Sequence, residues 1–274
     1  MIPIKVLVPS GVLGLGFDYE ALRHGIKNNP DIISIDGGST DSGPYSLGSG
    51  TSKYSRAAIK AEWKSLMIAR EKANVPLVIG SCGTCGTNGM VDWMENITIE
   101  LAEELDQHLK IAKLYCDQKK NYIKESYKLN KILSLNPAPK LNNKVIDEMT
   151  NIVALAGAEQ IQECINTGAE IILAGRTTDT AIISALPLMK GANPGSSWHG
   201  AKVVECGALC STNPTSGVVM VEFDKTGFTV EPMSKNAFCT SETVAAHMLY
   251  ENADPYILHE PGGYMDVTLS LIHI

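Results

Sequence analysis

The 274-residue sequence has no run approaching the ~18 consecutive apolar residues of a membrane span. It has no GxGxxG fingerprint and no phosphate-binding loop ending in Gly-Lys-Ser/Thr, which weakens the case for NAD or ATP. It has no excess of positive charge. The 23 Lys and Arg against 30 Asp and Glu leave a net −7, which argues against nucleic acid or an anionic membrane as the main partner, although a local basic patch could still hold a phosphate. The seven cysteines (Cys82, Cys85, Cys116, Cys164, Cys206, Cys210, Cys239) are odd in number and scattered, unlike a secreted disulfide scaffold. Cys82 and Cys85 form a CxxC, but no second CxxC or histidine pair follows at the spacing a structural zinc site needs. A dithiol at a helix N-terminus stays open on geometry, although Gly83, Gly86 and Gly89 make that loop more flexible than a redox turn. The apolar start "MIPIKVLVPSGVLGLG" is interrupted by Lys5 and runs into a glycine loop, so a buried first strand is expected rather than a signal peptide. These features together predict a soluble cytoplasmic protein.

What is present is ordinary globular composition, 44% hydrophobic and 19% charged, long enough for one large domain or two lobes. Short Val- and Ile-rich runs alternate with segments of helical period. The runs are "IKVLVPS", "DIISID", "VPLVIGS", "KIAKLYC", "NIVALAG" and "EIILAGR", each followed by a helix candidate. Strands apolar on both faces, in strand-then-helix order, predict an α/β fold: a mostly parallel, Rossmann-like sheet with helices on both faces. "GVVMVEFDKTGFTVEPM" alternates like an antiparallel hairpin around "DKTG", and "TSETVAAHMLYENA" reads as a helix capped by Thr240 or Ser241. The polar stretch "SLNPAPKLNNK" suggests a connection between lobes 1–138 and 145–268 that pack together.

Three predicted strand ends carry glycine-rich loops: "SGVLGLG", "GGSTDSGPYSLGSG" and "GSCGTCGTNG". Glycine lets backbone N–H groups approach an anion, so Gly11, Gly14, Gly37, Gly38, Ser39, Thr40, Gly80, Ser81 and Gly83 are candidates to bind a nucleotide or coenzyme A. Tight strand-to-helix turns need glycine anyway, which is the competing explanation for any one loop. Asp36, at a strand end, could hold a ribose or metal, or cap its own turn. "DIISIDGGSTDS" and "EIILAGRTTDT" align with a single gap. Both lie where strands end, so Asp41 and Asp179 could face one cleft; Thr178 and Asp179 could equally serve the following helix as caps. Arg176 suits a carboxylate or phosphate, or a structural ion pair. If "SWHGAKVVECGALC" is helical, His199, Lys202 and Cys206 share a face with Glu205 beside them. That set could shuttle a proton and anchor an anion, or be a routine surface pair with a structural histidine. His247 is expected to pack or face solvent.

Taken together, "IDGGSTDSGPYSLGSG", "SRAAIK", "VPLVIGSCGTCG", "LAGRTTDTAI", "WHGAKVVECGA", "GFTVEP", "VAAHMLYENADPY" and "EPGG" resemble the acyclic terpene utilisation (AtuA-type) family over nearly the whole length. The resemblance implies a cytoplasmic protein encoded among enzymes that degrade acyclic terpenoids such as citronellol and geraniol through branched acyl-CoA intermediates. In the family pattern the third loop is a glycine and alanine run, so Cys82 and Cys85 stand where small residues are usual. Family members are longer, so residues 1–268 are expected to be an incomplete domain, and the ending, 269–274, is expected to be a non-native tail. The leading expectation is an enzyme of lyase or hydratase type acting on an acyl-CoA or related carboxylate. Asp36 and Asp41 would serve as acid, base or metal ligands, His199 would assist proton transfer, and the glycine loops with Arg176 or Lys202 would hold phosphate or carboxylate. A coenzyme A thioester as ligand and a divalent metal are both compatible with these residues, as are a homo-oligomer and a partner subunit. The rivals are a noncatalytic binding subunit of a partner enzyme and a metal-dependent hydrolase, the latter requiring Asp36, Asp41 and His199 to converge.

Overall fold

The computed structural model describes residues 3–38, 43–134, 138, 140–249 and 254–268. In chain order the elements are β1 (Ile4–Val8), α1 (Tyr19–Lys27), β2 (Ile32–Asp36), α2 (Tyr45–Ser49), α3 (Arg56–Ala73), β3 (Leu77–Gly80), α4 (Asn88–Leu105), β4 (Ile111–Leu114), α5 (Lys120–Lys128) and α6 (Asn143–Glu148). They continue with α7 (Ala158–Asn166), β5 (Ile171–Ala174), α8 (Ala181–Met189), α9 (Pro194–Val204), β6 (Val219–Phe223), β7 (Phe228–Pro232), α10 (Ser241–Met248), β8 (Ile257–Glu260) and β9 (Gly263–Asp266). Seven strands form one sheet in the order β4-β5-β3-β2-β1-β6-β7, and β8 and β9 form a separate antiparallel hairpin. Strands β1 to β5 are mutually parallel, while β6 runs antiparallel to β1 and β7 antiparallel to β6. The alternating segment "GVVMVEFDKTGFTVEPM" therefore extends the main sheet beyond β1. β5 is hydrogen-bonded between β3 and β4, so strands from both sides of the polar stretch at 134–144 belong to one sheet.

Each central strand is apolar on both faces because each face meets its own helical layer. Leu7, Ile33, Ile35, Leu77, Ile79 and Leu173 pack with Leu22 of α1, Trp63 and Met67 of α3, and Met94 and Ile97 of α4. Val6, Val8, Ile32, Val78 and Ile172 pack with Ile161 of α7, Ile182 of α8 and Val204 of α9. This segregation follows from handedness. The chain steps outward through β1, β2, β3 and β4, then returns to β5, and right-handed crossovers put helices of opposite travel on opposite faces. Two polar groups inside the layers are satisfied: Ser34 Oγ donates to Ile182 O at 2.7 Å and Trp63 Nε1 donates to Thr98 Oγ1 at 2.9 Å.

One expected strand is absent. "NIVALAG" forms only isolated bridges, Asp117 to Val153 and Ala156 to Thr177. Its backbone bonds run to loops beyond β4 and β5, with Ala154 N–H donating to Cys116 O and Ala156 N–H to Arg176 O, each at 2.8 Å. The segment thus crosses the strand ends instead of entering the sheet, and its Leu155 is 49% exposed.

Candidate functional site

The carboxyl ends of the five parallel strands emerge on one edge, the place where open α/β sheets form their crevices. Their loops are laced together by backbone bonds. Gly37 N–H donates to Gly80 O (2.7 Å), Ser81 N–H to Gly175 O (2.9 Å), Thr84 N–H to Gly37 O (2.9 Å) and Leu13 N–H to Asp36 O (2.8 Å). The loops approach so closely that a Cβ on Gly37 would sit 2.6 Å from the carbonyl oxygens of Gly80 and Ser81, and one on Gly86 would sit 2.4 Å from Arg176 N. A Cβ on Gly80 would meet Thr177 Oγ1 at 2.3 Å, and one on Gly11 the Cys206 backbone at 2.9 Å. Arg176 adds a side-chain clasp, its Nη1 donating to Gly38 O at 3.2 Å and Thr84 O at 3.3 Å.

Several amides expected to cradle a ligand are therefore already donating within the protein. The first loop does hold an anion, but that anion is the protein's own. Gly14 N–H donates to Glu62 Oε2 at 2.7 Å, and the Gly16 N–H also stabilises this carboxylate. Glu62, a buried residue of α3, gave no signal in sequence because it lies in a helix far from any motif. Its burial raises its pKa, and the two amides oppose that rise.

Asp36 ends β2 and is 2% exposed. Gly38 N–H donates to its Oδ2 at 2.9 Å, while Oδ1 is buried and has no hydrogen-bond partner among the described residues. Burial first, and the charge of Asp179 second, hold this carboxyl well above the usual carboxylate range. Arg176 and the N–H groups of Gly38 and Gly37 pull in the other direction. Asp36 is thus held toward its neutral form, with one oxygen unused among the described residues. The echo of the two strand-end motifs has a physical counterpart here, since Asp179 is near enough for its charge to act on Asp36. α8 begins at Ala181, and the Thr178 hydroxyl accepts the Ala181 N–H at 3.2 Å. Ser39, Thr40 and Asp41 lie outside the described residues.

A second group of charges continues from Asp179. α9 ends at Val204, so Lys202 lies on its last turn and Glu205 just beyond. Lys202 Nζ donates to Glu205 Oε1, and the two side chains are only 12% and 5% exposed. Burial outweighs this ion pair: helped by the charges of Asp179 and Glu260, it pushes Glu205 up to about 8 against the pull of Lys202. Glu260 of β8 accepts from Thr180 Oγ1 at 2.6 Å and keeps Oε2 buried with no partner among the described residues. Its pKa is raised by burial, against the Thr180 and Thr178 hydroxyls and Lys202. His247 of α10 is buried rather than solvent-facing; burial and the Lys202 charge bring it down to about 4, against a hydrogen bond to the Lys202 backbone. Neutral at pH 7, it belongs to this group although its sequence context suggested only packing or exposure. Glu260 stands in "EPGG", where its chemistry was hidden because its partners lie some 60 to 80 residues earlier in the chain.

His199 faces elsewhere. It lines a cavity of about 1090 Å³ between α9, β7, the start of α10 and the β8–β9 hairpin, with Trp198, Phe228, Val244, Cys239 and Tyr264 also in the wall. Its ring packs edge-on against Phe228 at 5.1 Å, and burial lowers its pKa. Asp36 does not line this cavity, whereas Glu260 does, so Glu260 connects it to the Lys202–Glu205 pair. Among the described residues, no group of three or more His, Cys, Asp or Glu side chains is placed to hold a metal ion.

The CxxC loop is folded inward. Cys82 is fully buried and Cys85 nearly so. Burial, with the Asp36 charge, holds the Cys82 thiol well above its ordinary range, the opposite of an activated thiolate. Ser81, Gly83, Thr84 and Gly86 all take positive φ in this loop, a tight path that brings Thr84 and Gly86 against the β2 and β5 loops.

Among the described residues no helix is long and apolar enough to cross a membrane. No curated protein and no solved structure matches the chain. The family model for "Acyclic terpene utilisation family protein AtuA" matches residues 46–273. Arg176, Asp179, Lys202, Glu205, His247 and Glu260 lie inside the matched region, and Asp36 lies before it. With most of its length covered by that match, the chain belongs to the acyclic terpene utilisation family.

Proposed function

We propose that this protein is an enzyme of acyclic terpenoid breakdown that acts on a branched acyl-CoA, or the related carboxylate, by proton transfer of the lyase or hydratase kind. The observation that carries the reading is Asp36, a buried carboxyl held toward its neutral form with one oxygen unpartnered among the described residues, beside the Asp179 carboxylate at the sheet edge. A carboxyl held toward its neutral form beside a second carboxylate can serve as general acid and base. In the dehydrating direction, Asp179 takes the proton α to the carbonyl while Asp36 gives its proton to the departing β-hydroxyl, releasing water and the unsaturated acyl group. Lys202, with Arg176, supplies positive charge for a carboxylate or thioester oxygen. The Gly14, Gly37, Gly38 and Ser81 amides take no part in holding phosphate, because they are engaged within the protein.

The test combines ligand-induced thermal shifts with mass-spectrometric detection of solvent deuterium incorporated at the α-carbon, using branched acyl-CoAs, the free branched acids and free coenzyme A. Stabilisation by an acyl ligand, with deuterium uptake that Asp179→Asn abolishes and loss of water that Asp36→Asn abolishes, is the expected result. Stabilisation without deuterium uptake, unchanged in Asp36→Asn, would favour a noncatalytic binding subunit. No response to any acyl-CoA or acid would remove the proposal.

A further inference from the structure

Cys82 and Cys85 form the CxxC, and Cys206 and Cys210 lie four residues apart, yet a pair far apart in sequence is juxtaposed in space. Cys210 closes the short 3-10 turn Gly207–Cys210 that follows Glu205, and Cys239 immediately precedes the cap of α10. They are separated by 28 intervening residues in the sequence, but their Sγ atoms are 3.9 Å apart. That is sulfur contact distance, about 2 Å longer than a disulfide bond.

Access to the pair is asymmetric. Cys210 is fully buried, its Sγ also 3.6 Å from Gly207 O. Cys239 is half-buried and lines the large cavity beside Trp198 and Val244. Of the other cysteines, Cys82, Cys85, Cys116 and Cys164 are buried, and Cys206 is half-buried. We propose that Cys210 and Cys239 form a reversible dithiol site, in which Cys239 is the attacking thiol and Cys210 the resolving one, with a low-molecular-weight disulfide of the glutathione class as oxidant.

The charge distribution suits this order. Contact with Cys210 holds Cys239 below the ordinary thiol range, while the same contact and burial raise Cys210. The Cys239 thiolate attacks one sulfur of the oxidant through the cavity, forming a mixed disulfide and releasing one small thiolate. Cys210 then loses its proton to the released thiolate and attacks Cys239 Sγ, forming the Cys210–Cys239 bond and expelling the second small thiolate, which takes the proton left by Cys239. Two protein thiols are oxidised, one small disulfide is reduced to two thiols, and no proton is gained or lost overall. The new bond ties the turn that follows Glu205, just beyond the last turn of α9 with its Lys202, to the segment before α10, the helix that carries His247. The inference rests on no assignment of the reaction at those residues.

The reduced 274-residue chain, equilibrated with glutathione disulfide and quenched by denaturing alkylation, tests it. The expected product is lighter by about 2 Da before alkylation, reacts at two fewer thiols, and yields a proteolytic cross-link joining Cys210 to Cys239. Glutathione reverses it, Cys239→Ser abolishes it, and the Cys82→Ala/Cys85→Ala double variant retains it. Alkylation at every cysteine after oxidation would overturn the proposal. So would a cross-link to Cys206 or Cys82, or glutathione held on Cys239 with Cys210 still free to alkylate. The peptide map of the unmodified sequence decides this even if a variant fails to fold.

Discussion

Replacing Glu205 by Gln removes one buried acid while keeping its shape, and the structure fixes how stability must then change with pH. The folded chain holds the Glu205 proton up to about pH 8, whereas the unfolded chain releases it near the ordinary value of 4.5. Between those values the native state binds more protons than the unfolded state, so stability falls as pH rises. The contribution is fully present below about 4.5 and is lost as pH passes through about 8. At ~1.36 kcal/mol per pH unit, the interval gives roughly 5 kcal/mol as an upper limit. Water reaching the ionised pair, and Lys202 approaching the new charge, reduce this to about 2–4 kcal/mol. The assay is urea unfolding of the parent chain and Glu205→Gln at half-unit steps from pH 5 to 8.5. The parent is expected to lose stability across the range more steeply than the variant, the two curves diverging by that amount. Identical pH dependence in the two chains would refute a protonated Glu205, and with it the claim that burial outweighs its ion pair with Lys202.

Three further substitutions probe the glycine loops. Gly37→Ala puts a Cβ against two backbone oxygens at 2.6 Å and is expected to cost about 3 kcal/mol or more in chemical denaturation. Gly83→Ala, at φ +59° with Met90 side-chain atoms nearest, Sδ at 2.6 Å and Cβ at 2.9 Å, should cost about 1–2 kcal/mol; a cost greater than that of Gly37→Ala would contradict the loop-against-loop account. Glu62→Ala leaves the Gly14 and Gly16 amides without their carboxylate and should lower stability by about 1–3 kcal/mol, measured the same way. A neutral or stabilising effect would mean those amides are free for a ligand after all.

The strand-and-helix alternation was legible in the sequence because its cause is local: β1, β2, β3 and β5 are buried on both faces, so their apolar runs are continuous, and the intervening segments keep a helical period. "NIVALAG" shows the limit of that signal. An apolar run says that a segment seeks burial, not that a ladder position is open, and this one found partners in the loops beyond β4 and β5. Likewise the strand-end position of Asp36, Arg176 and Asp179 was readable, since parallel strands share one carboxyl edge. Their mutual influence was not, because it depends on which loops touch.

By itself the sequence determined the α/β layers, the mostly parallel sheet and the edge on which polar residues gather, all consequences of periodicity and connection handedness. Only the tertiary structure decided which groups act on one another. It gave the first glycine loop to Glu62, brought His247 and Glu260 to the Lys202–Glu205 pair, turned His199 toward a separate cavity, and set Cys210 against Cys239 while burying the CxxC. Charge and thiol chemistry depend on distance and burial in space, and a separation along the chain carries neither.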